Sequence, residues 1–221
     1  MNIAVLGTGV VGRTIATKLV ELGHSVRMGA RSADNPKAIE WAASAGENGS
    51  HGTFADAAAF GQVVFLCLLG TGTLEALELA EEDNVDDKII IDITNPLDFS
   101  KADVARGIGP TLYISGGGDS LGEQVQRRVP GAHVVKALNT VTANVMVNPG
   151  MLSGQHHLFI CGNNAEAKSQ VSGWLREWFG WESILDIGDI TGARATEGQM
   201  LLWLKLWGAL GTPNFNLQVV R

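Results

Sequence analysis

The chain has 221 residues, 45% of them hydrophobic and 18% charged, so it can bury a sizeable core and is not a disordered polymer. Its net charge of −7, with no basic cluster, argues against nucleic acid or an anionic membrane surface as partner. That length allows one large domain, or a domain with a small appendage.

The N-terminus lacks a basic region followed by a long apolar run and a cleavage site, so no secretory signal is expected. The longest apolar stretch, Met200 to Leu210, is interrupted by Lys205 and falls short of the ~20 residues a membrane span needs. The expectation is a cytoplasmic, soluble protein with no membrane partner. Cys67 and Cys161, the only cysteines, lie inside apolar runs and read as buried reduced thiols.

In chain order, Ile3 to Leu6 reads as a strand buried on both faces, and it breaks into Gly7-Thr8-Gly9-Val10-Val11-Gly12. This fits G-x-G-x-x-G. Gly7 permits the tight turn, Gly9 lets backbone approach a pyrophosphate, and Gly12 lets the next helix lie close to the sheet. The helix follows at once, with Ile15, Leu19 and Leu22 at helical spacing and Gly23 as its stop. A glycine loop between a strand and a helix is the context that turns a weak motif into a dinucleotide site, with the helix N-terminus facing the diphosphate.

Ser25 to Gly29 reads as a second strand, residues 37 to 45 as a helix started by Asn35-Pro36, and the neighbourhood of Gly52 to Phe54 as a weak third strand. Gln62 to Leu69 is a buried strand running into Gly70-Thr71-Gly72-Thr73 and a helix over 74 to 82. Lys88 to Thr94 is a fifth strand, closed by Asn95-Pro96. Gly116-Gly117-Gly118 marks a loop, Gly122 to Arg128 a helix and His133 to Ala137 a sixth strand. The spacing then predicts a helical piece near 142 to 147, strands at His157 to Cys161 and Ser183 to Ile187, and helices over Ala165 to Phe179 and 191 to 210. The reading is a doubly wound, Rossmann-like parallel α/β sheet. Residues 1–140 form its dinucleotide-binding part and residues 141–221 a small C-terminal α/β extension.

Where an NAD enzyme places Asp or Glu at the end of the second strand, this chain has Arg31 and Ser32, with Lys37 close behind. A guanidinium can fork onto a 2′-phosphate that a carboxylate would repel, so the cofactor is expected to be NADP(H). Asp34 is the dissenting residue, three positions late.

Acid–base groups are scarce. The Tyr-x-x-x-Lys of short-chain dehydrogenases is missing, because Tyr113, the only tyrosine, is followed at the fourth position by Gly117. None of His24, His51, His133, His156 and His157 has the carboxylate and arginine setting of a hydroxy-acid dehydrogenase, and His156-His157 read as surface residues. No Cys/His/carboxylate spacing suggests a metal. Hydride exchange between two ring cofactors needs orientation and a dry apolar pocket rather than a proton donor. Thr94-Asn95-Pro96, Ala137-Leu138-Asn139-Thr140 and the Trp-rich C-terminus would supply such a pocket.

Several segments occur in one family's order: the glycine loop, Gly29-Ala30-Arg31-Ser32, Asp92-Ile93-Thr94-Asn95-Pro96, Ser120-Leu121-Gly122-Glu123, Val135-Lys136-Ala137-Leu138-Asn139-Thr140, Cys161-Gly162-Asn163-Asn164-Ala165-Glu166-Ala167-Lys168, and Asp186-Ile187-Gly188 through Ala193-Arg194. Over essentially the whole chain the sequence resembles the deazaflavin (coenzyme F420)-dependent NADP oxidoreductases. The resemblance implies that Thr8 to Val11 wrap the pyrophosphate and that Arg31 and Ser32 hold the 2′-phosphate. Leu68, Leu69, Asn95 and Pro96 would border ribose and nicotinamide. Ala137 would meet the nicotinamide amide through its backbone, beside Asn139, and the C-terminal extension would help form the acceptor cleft. Gly70-Thr71-Gly72 departs from the family, which often has Pro and a bulky residue there, and Gly116-Gly117-Gly118 enlarges a loop. The acceptor is therefore open between a deazaflavin, a flavin and a small carbonyl or imine. A non-catalytic NADP-sensing module is the alternative from another class. An apolar last helix carrying Trp203 and Trp207 suggests core packing or a homodimer.

Overall fold

Ile3 to Leu6, Val63 to Leu66 and Ile90 to Ile91 have no exposed surface, and these wholly apolar runs form the central strands of a sheet covered on both faces. The computed structural model describes residues 1–100, 102, 109–114 and 117–221. Eight strands make one sheet in the order β10-β9-β8-β5-β4-β1-β2-β3. They are β1 (Asn2–Leu6), β2 (Ser25–Ala30), β3 (Gly49–Thr53), β4 (Val63–Leu66), β5 (Ile89–Asp92), β8 (His133–Lys136), β9 (Leu158–Gly162) and β10 (Ile184–Asp186). Pairing is parallel except between β8 and β9, where Val135 faces Gly162 and Lys136 faces Cys161. This is the Rossmann-like fold read from the sequence, and β9 and β10 prolong the same sheet beyond β8.

Alternation along the strands builds the two layers. Ile3 and Val5 join Ile15 and Leu19 of α1 (Val10–Glu21), Val145 of α6 (Ala143–Val147), and Val171, Leu175 and Trp178 of α7 (Ala165–Phe179). Ala4 and Leu6 face Ala57 of α3 (Phe54–Phe60), Leu77 of α4 (Thr73–Ala80) and Val125 of α5 (Leu121–Arg128) on the other side. Each such Val, Leu or Ile side chain contributes roughly 1.5–3 kcal/mol by leaving water, and the alanines less. The helix α2 (Pro36–Ala45) starts where the sequence signals it, with Asn35 Oδ1 accepting from the N–H groups of Lys37 and Ala38. The last helix, α8 (Ala193–Leu210), leads into a C-terminal segment that returns to the start of β9.

Four expectations need correcting. The third strand runs over Gly49–Thr53 rather than Gly52 to Phe54, and Phe54 opens the helix α3, which was not expected, because Thr53 and Asp56 form a capping box there. The fourth strand ends at Leu66, not Leu69: Cys67 N–H makes a bond to Leu6 O, and Leu68 and Leu69 then leave the sheet. Two two-residue strands, β6 (Leu97–Asp98) and β7 (Thr111–Leu112), pair antiparallel where no strand was expected. His156 and His157 are half-buried rather than surface residues. His156 packs edge-on against Trp181 with ring centres 5.4 Å apart, and the His157 N–H and C=O are bonded to Leu217 and Asn216 of the returning tail. Of the Gly116–Gly118 loop, Gly116 lies outside the described residues, and Gly117 and Gly118 are exposed.

Candidate active site

The glycine loop is built as its spacing requires. Gly7 has φ +124°, and a Cβ there would sit 2.2 Å from Cys67 O; a Cβ on Gly12 would sit 2.1 Å from Gly7 O. Neither position admits a side chain. Gly9 is different, for a Cβ there would meet nothing within 4 Å, so its open side is free for a ligand. Gly9 is also the N-cap of α1, whose first turn carries no acidic residue and has no side-chain cap. The N–H groups of that turn are therefore available to an anion.

Around this loop lies a cleft of about 690 Å³. It is lined by Gly7, Thr8, Gly9, Val10 and Val11 from the loop, Arg31, Ser32, Asn35 and Lys37 beyond β2, and Cys67, Leu68, Leu69, Thr71 and Gly72 beyond β4. Phe54 and Ile93 line it as well. Gly12 packs behind the loop and does not line it. Phe54, Asn35, Thr71 and Gly72 were not among the expected site residues: Asn35 reads as a helix start and Thr71 and Gly72 as a turn, and only the fold brings them to the cleft.

Asn95, Pro96, Ala137 and Asn139 lie outside that lining, at the C-terminal ends of the adjacent strands β5 and β8. They form a second constellation next to Ile93. Asn95 Nδ2 donates to Asn139 O at 2.8 Å, and Asn139 Nδ2 donates to Asn95 Oδ1 at 2.9 Å. Leu138 between them is fully buried with φ +64°, a left-handed conformation that a Leu adopts only when its surroundings impose it. Ala137 N–H donates to Asp92 O at 3.1 Å. Among the described residues, Asn139 Oδ1 and Thr140 Oγ1 are buried without a hydrogen-bond partner.

Beneath this end is a buried ionic cluster that sequence reasoning missed. Lys136 Nζ lies 2.9 Å from Asp92 Oδ2, 2.9 Å from Glu197 Oε1 and 2.6 Å from Thr94 O. Asp92 Oδ1 in turn accepts from Thr94 N–H and Oγ1, so the Thr94 peptide is held from both sides. Glu197, reaching in from α8, also accepts from the N–H groups of Leu121 and Gly122 at the start of α5. Burial alone would lower the Lys136 pKa, but Asp92 and Glu197 outweigh it and raise it. Close by, Arg194 forks onto Glu123, with Nε at 2.8 Å and Nη2 at 2.6 Å, which pulls the Glu123 carboxyl below its usual range.

Other ionisable groups here are poor acids and bases near neutrality. Burial, aided by the charge of Asp92, pushes the Cys67 thiol far up; burial pushes Cys161 up to about 12. Burial and the neighbouring Glu197 push the Tyr113 hydroxyl up to about 12. Both cysteines are free and buried, as the sequence suggested. Among the described residues no cluster of three or more His, Cys, Asp or Glu could hold a metal, and no helix is long and apolar enough to cross a membrane.

Residues 2–96 match the family model of NADP oxidoreductases dependent on coenzyme F420. A solved structure from Arthrobacter sp. FB24, described provisionally as an F420-dependent NADP reductase, is 44% identical with 99% of both chains covered and a TM-score of 0.90. The chain belongs to this family. As a member it is an NADP-dependent oxidoreductase, in keeping with Arg31 and Lys37 in the cleft. A curated relative, the metalloreductase STEAP3 of Rattus norvegicus, is 29% identical over 207 residues; the match takes in 93% of this family member but only 38% of that longer protein. The reductive aminase of Aspergillus terreus in complex with NADPH and ethyl levulinate shares the fold, at 19% identity and a TM-score of 0.64, over 95% of this chain and 62% of its own.

Proposed function

We propose that the protein passes a hydride between NADPH and a deazaflavin of the coenzyme F420 type. The observation that carries this reading is the scarcity of proton donors, among the described residues, where the two rings would meet. Amides, backbone carbonyls and threonine hydroxyls stand at the ends of β5 and β8, and Tyr113, pushed up to about 12, gives up its proton with difficulty. Carbonyl reduction needs a positioned acid, whereas exchange between two rings does not.

In this reading Thr8 to Val11 and the uncapped turn of α1 take the pyrophosphate, and Arg31, Ser32 and Lys37 take the 2′-phosphate. Leu68, Leu69, Asn95 and Pro96 border ribose and nicotinamide. The Ala137 N–H is committed to Asp92, so a backbone contact from Ala137 to the nicotinamide amide falls to its carbonyl, beside Asn139. Bound there, NADPH supplies the hydride from C4 of its nicotinamide. The chain's own task is orientation and exclusion of water: Lys136 and Asp92 fix the Thr94 peptide, and the Asn95–Asn139 pair fixes the next residue along. Residues 1–140 are the proposed NADP-binding part and residues 141–221 the acceptor side, and Glu197 and Arg194 of α8 tie the second to the start of α5 in the first. A second copy of the chain is the proposed partner.

The test is NADPH oxidation, followed by loss of its absorbance, against coenzyme F420, FMN, FAD, simple quinones and a panel of carbonyls and imines. F420 is expected to give a kcat/KM about a hundredfold or more above the others. Preference for a carbonyl or imine would overturn the proposal.

A further inference from the structure

Arg31 spans the mouth of the cleft. It leaves the end of β2, yet its Nη2 lies 3.1 Å from Glu75 Oε2 on the first turn of α4, the opposite wall. The guanidinium rests against the Gly70–Gly72 turn, where a Cβ on Gly72 would come within 3.3 Å of the same nitrogen. Nearby, the Ser32 hydroxyl donates to Asp34. Two cations, Arg31 and Lys37, thus have two carboxylates, Glu75 and Asp34, standing with them at this end. Without ligand, the positive charge expected to attract a 2′-phosphate is already offset.

We propose that Glu75 is a determinant of cofactor choice: it occupies Arg31 in the free protein and holds down affinity for a 2′-phosphorylated cofactor, leaving a 2′-hydroxyl cofactor untouched. The inference rests on the reading that Arg31 takes the 2′-phosphate. Both side chains are more than half exposed, so the pair itself opens at little cost. What persists after opening is a carboxylate beside a bound dianion, with its repulsion reduced but not removed by solvent. An enzyme that releases its oxidised cofactor on every turnover gains from such a limit on affinity, because release is often the slow step.

The experiment is calorimetric titration of the unaltered protein, Glu75→Gln and Arg31→Ala with NADPH and with NADH. Glu75 is exposed on a helix, so its replacement by Gln leaves the fold intact. Glu75→Gln is expected to bind NADPH about three- to tenfold more tightly and NADH within about twofold of the unaltered protein. Unchanged or weaker NADPH binding by Glu75→Gln, with Arg31→Ala losing the preference for NADPH, overturns the role of Glu75 and leaves that of Arg31 standing. A marked loss of NADH affinity in Glu75→Gln also overturns it, since the carboxylate would then be accepting from a ribose hydroxyl. An Arg31→Ala protein that still prefers NADPH overturns the reading of Arg31 itself, and the inference with it.

Discussion

Gly70 and Asn95 meet backbone to backbone: a Cβ at Gly70 would begin 2.2 Å from the Asn95 carbonyl oxygen and 3.0 Å from Pro96 Cα. The turn after β4 and the turn after β5 are therefore pressed together by the lack of a side chain at one position. Gly70→Ala must separate them, because neither backbone can yield locally. The expected cost is about 1–3 kcal/mol of stability. Displacement of Asn95 by about 1 Å should also slow hydride transfer by about a hundredfold. Thermal unfolding and single-turnover rates with C4-deuterated NADPH check the two effects separately.

Lys136→Met would leave Asp92 and Glu197 buried without their shared cation. A loss of about 3–5 kcal/mol is expected in urea unfolding. Since the folded-state pKa of Lys136 is raised, its contribution is complete below the unfolded lysine value of about 10.4 and is lost as pH climbs through the folded value. The unaltered protein should therefore lose stability in strongly alkaline solution, and Lys136→Met should lose less over the same range.

At the acid end the sign reverses. Arg194, chiefly through its hydrogen bond, holds Glu123 below the ordinary value of 4.5, so this carboxylate stabilises the fold above about 4.5 and ceases to as pH falls through its folded value. Arg127 holds Asp119 down to about 2 in the same way, though more exposed to solvent. Arg194→Met should flatten the rise in melting temperature with pH across this acid range, which calorimetry at stepped pH would show.

If no side chain titrates during the chemical step, the hydride-transfer rate should stay level across neutral pH. Tyr113→Phe, and replacement of any single histidine, should then change it by less than about threefold. A thousandfold loss in the isotope-sensitive step of one of these variants, with NADPH affinity intact, would reveal an acid and redirect attention to a carbonyl or imine acceptor.

The outer half of α8 presents Leu201, Leu202, Trp207 and Leu210 to solvent, each 44–57% exposed. An apolar stripe of that kind calls for a partner, and a second copy is the economical one. Light scattering is expected to give twice the 23.4 kDa chain mass. A Leu202→Glu/Trp207→Glu variant should shift the protein toward the single-chain value, and a single-chain mass for the unaltered protein would sink the idea.

Much of the fold was legible because glycine spacing and apolar runs act locally. Gly7 and Gly12 each announced a steric demand, and Asn35-Pro36 announced α2. The capping box joining Thr53 and Asp56 is a local signal for the start of α3. What stayed hidden depends on distant partners. Nothing around Glu75 points to Arg31, 44 positions away, and nothing in the run His133 to Lys136 says that its lysine is buried against Glu197. The strands β6 and β7 are too short to carry a period, and His156 looked exposed because polarity suggested it, whereas Trp181 and the returning tail cover it.

The salt cluster around Lys136 also has a consequence for how the chain is made. Synthesis proceeds from the N-terminus, so Asp92 and Lys136 emerge while α8 is still untranslated. Until Glu197 appears, the start of α5 lacks the carboxylate that accepts from the N–H groups of Leu121 and Gly122, and Lys136 lacks one of its two anions. The nascent glycine loop can fold and meet a nucleotide early, but the far end of the cleft cannot set. Chains halted before α8 should accordingly be the form that chaperones retain and proteases remove.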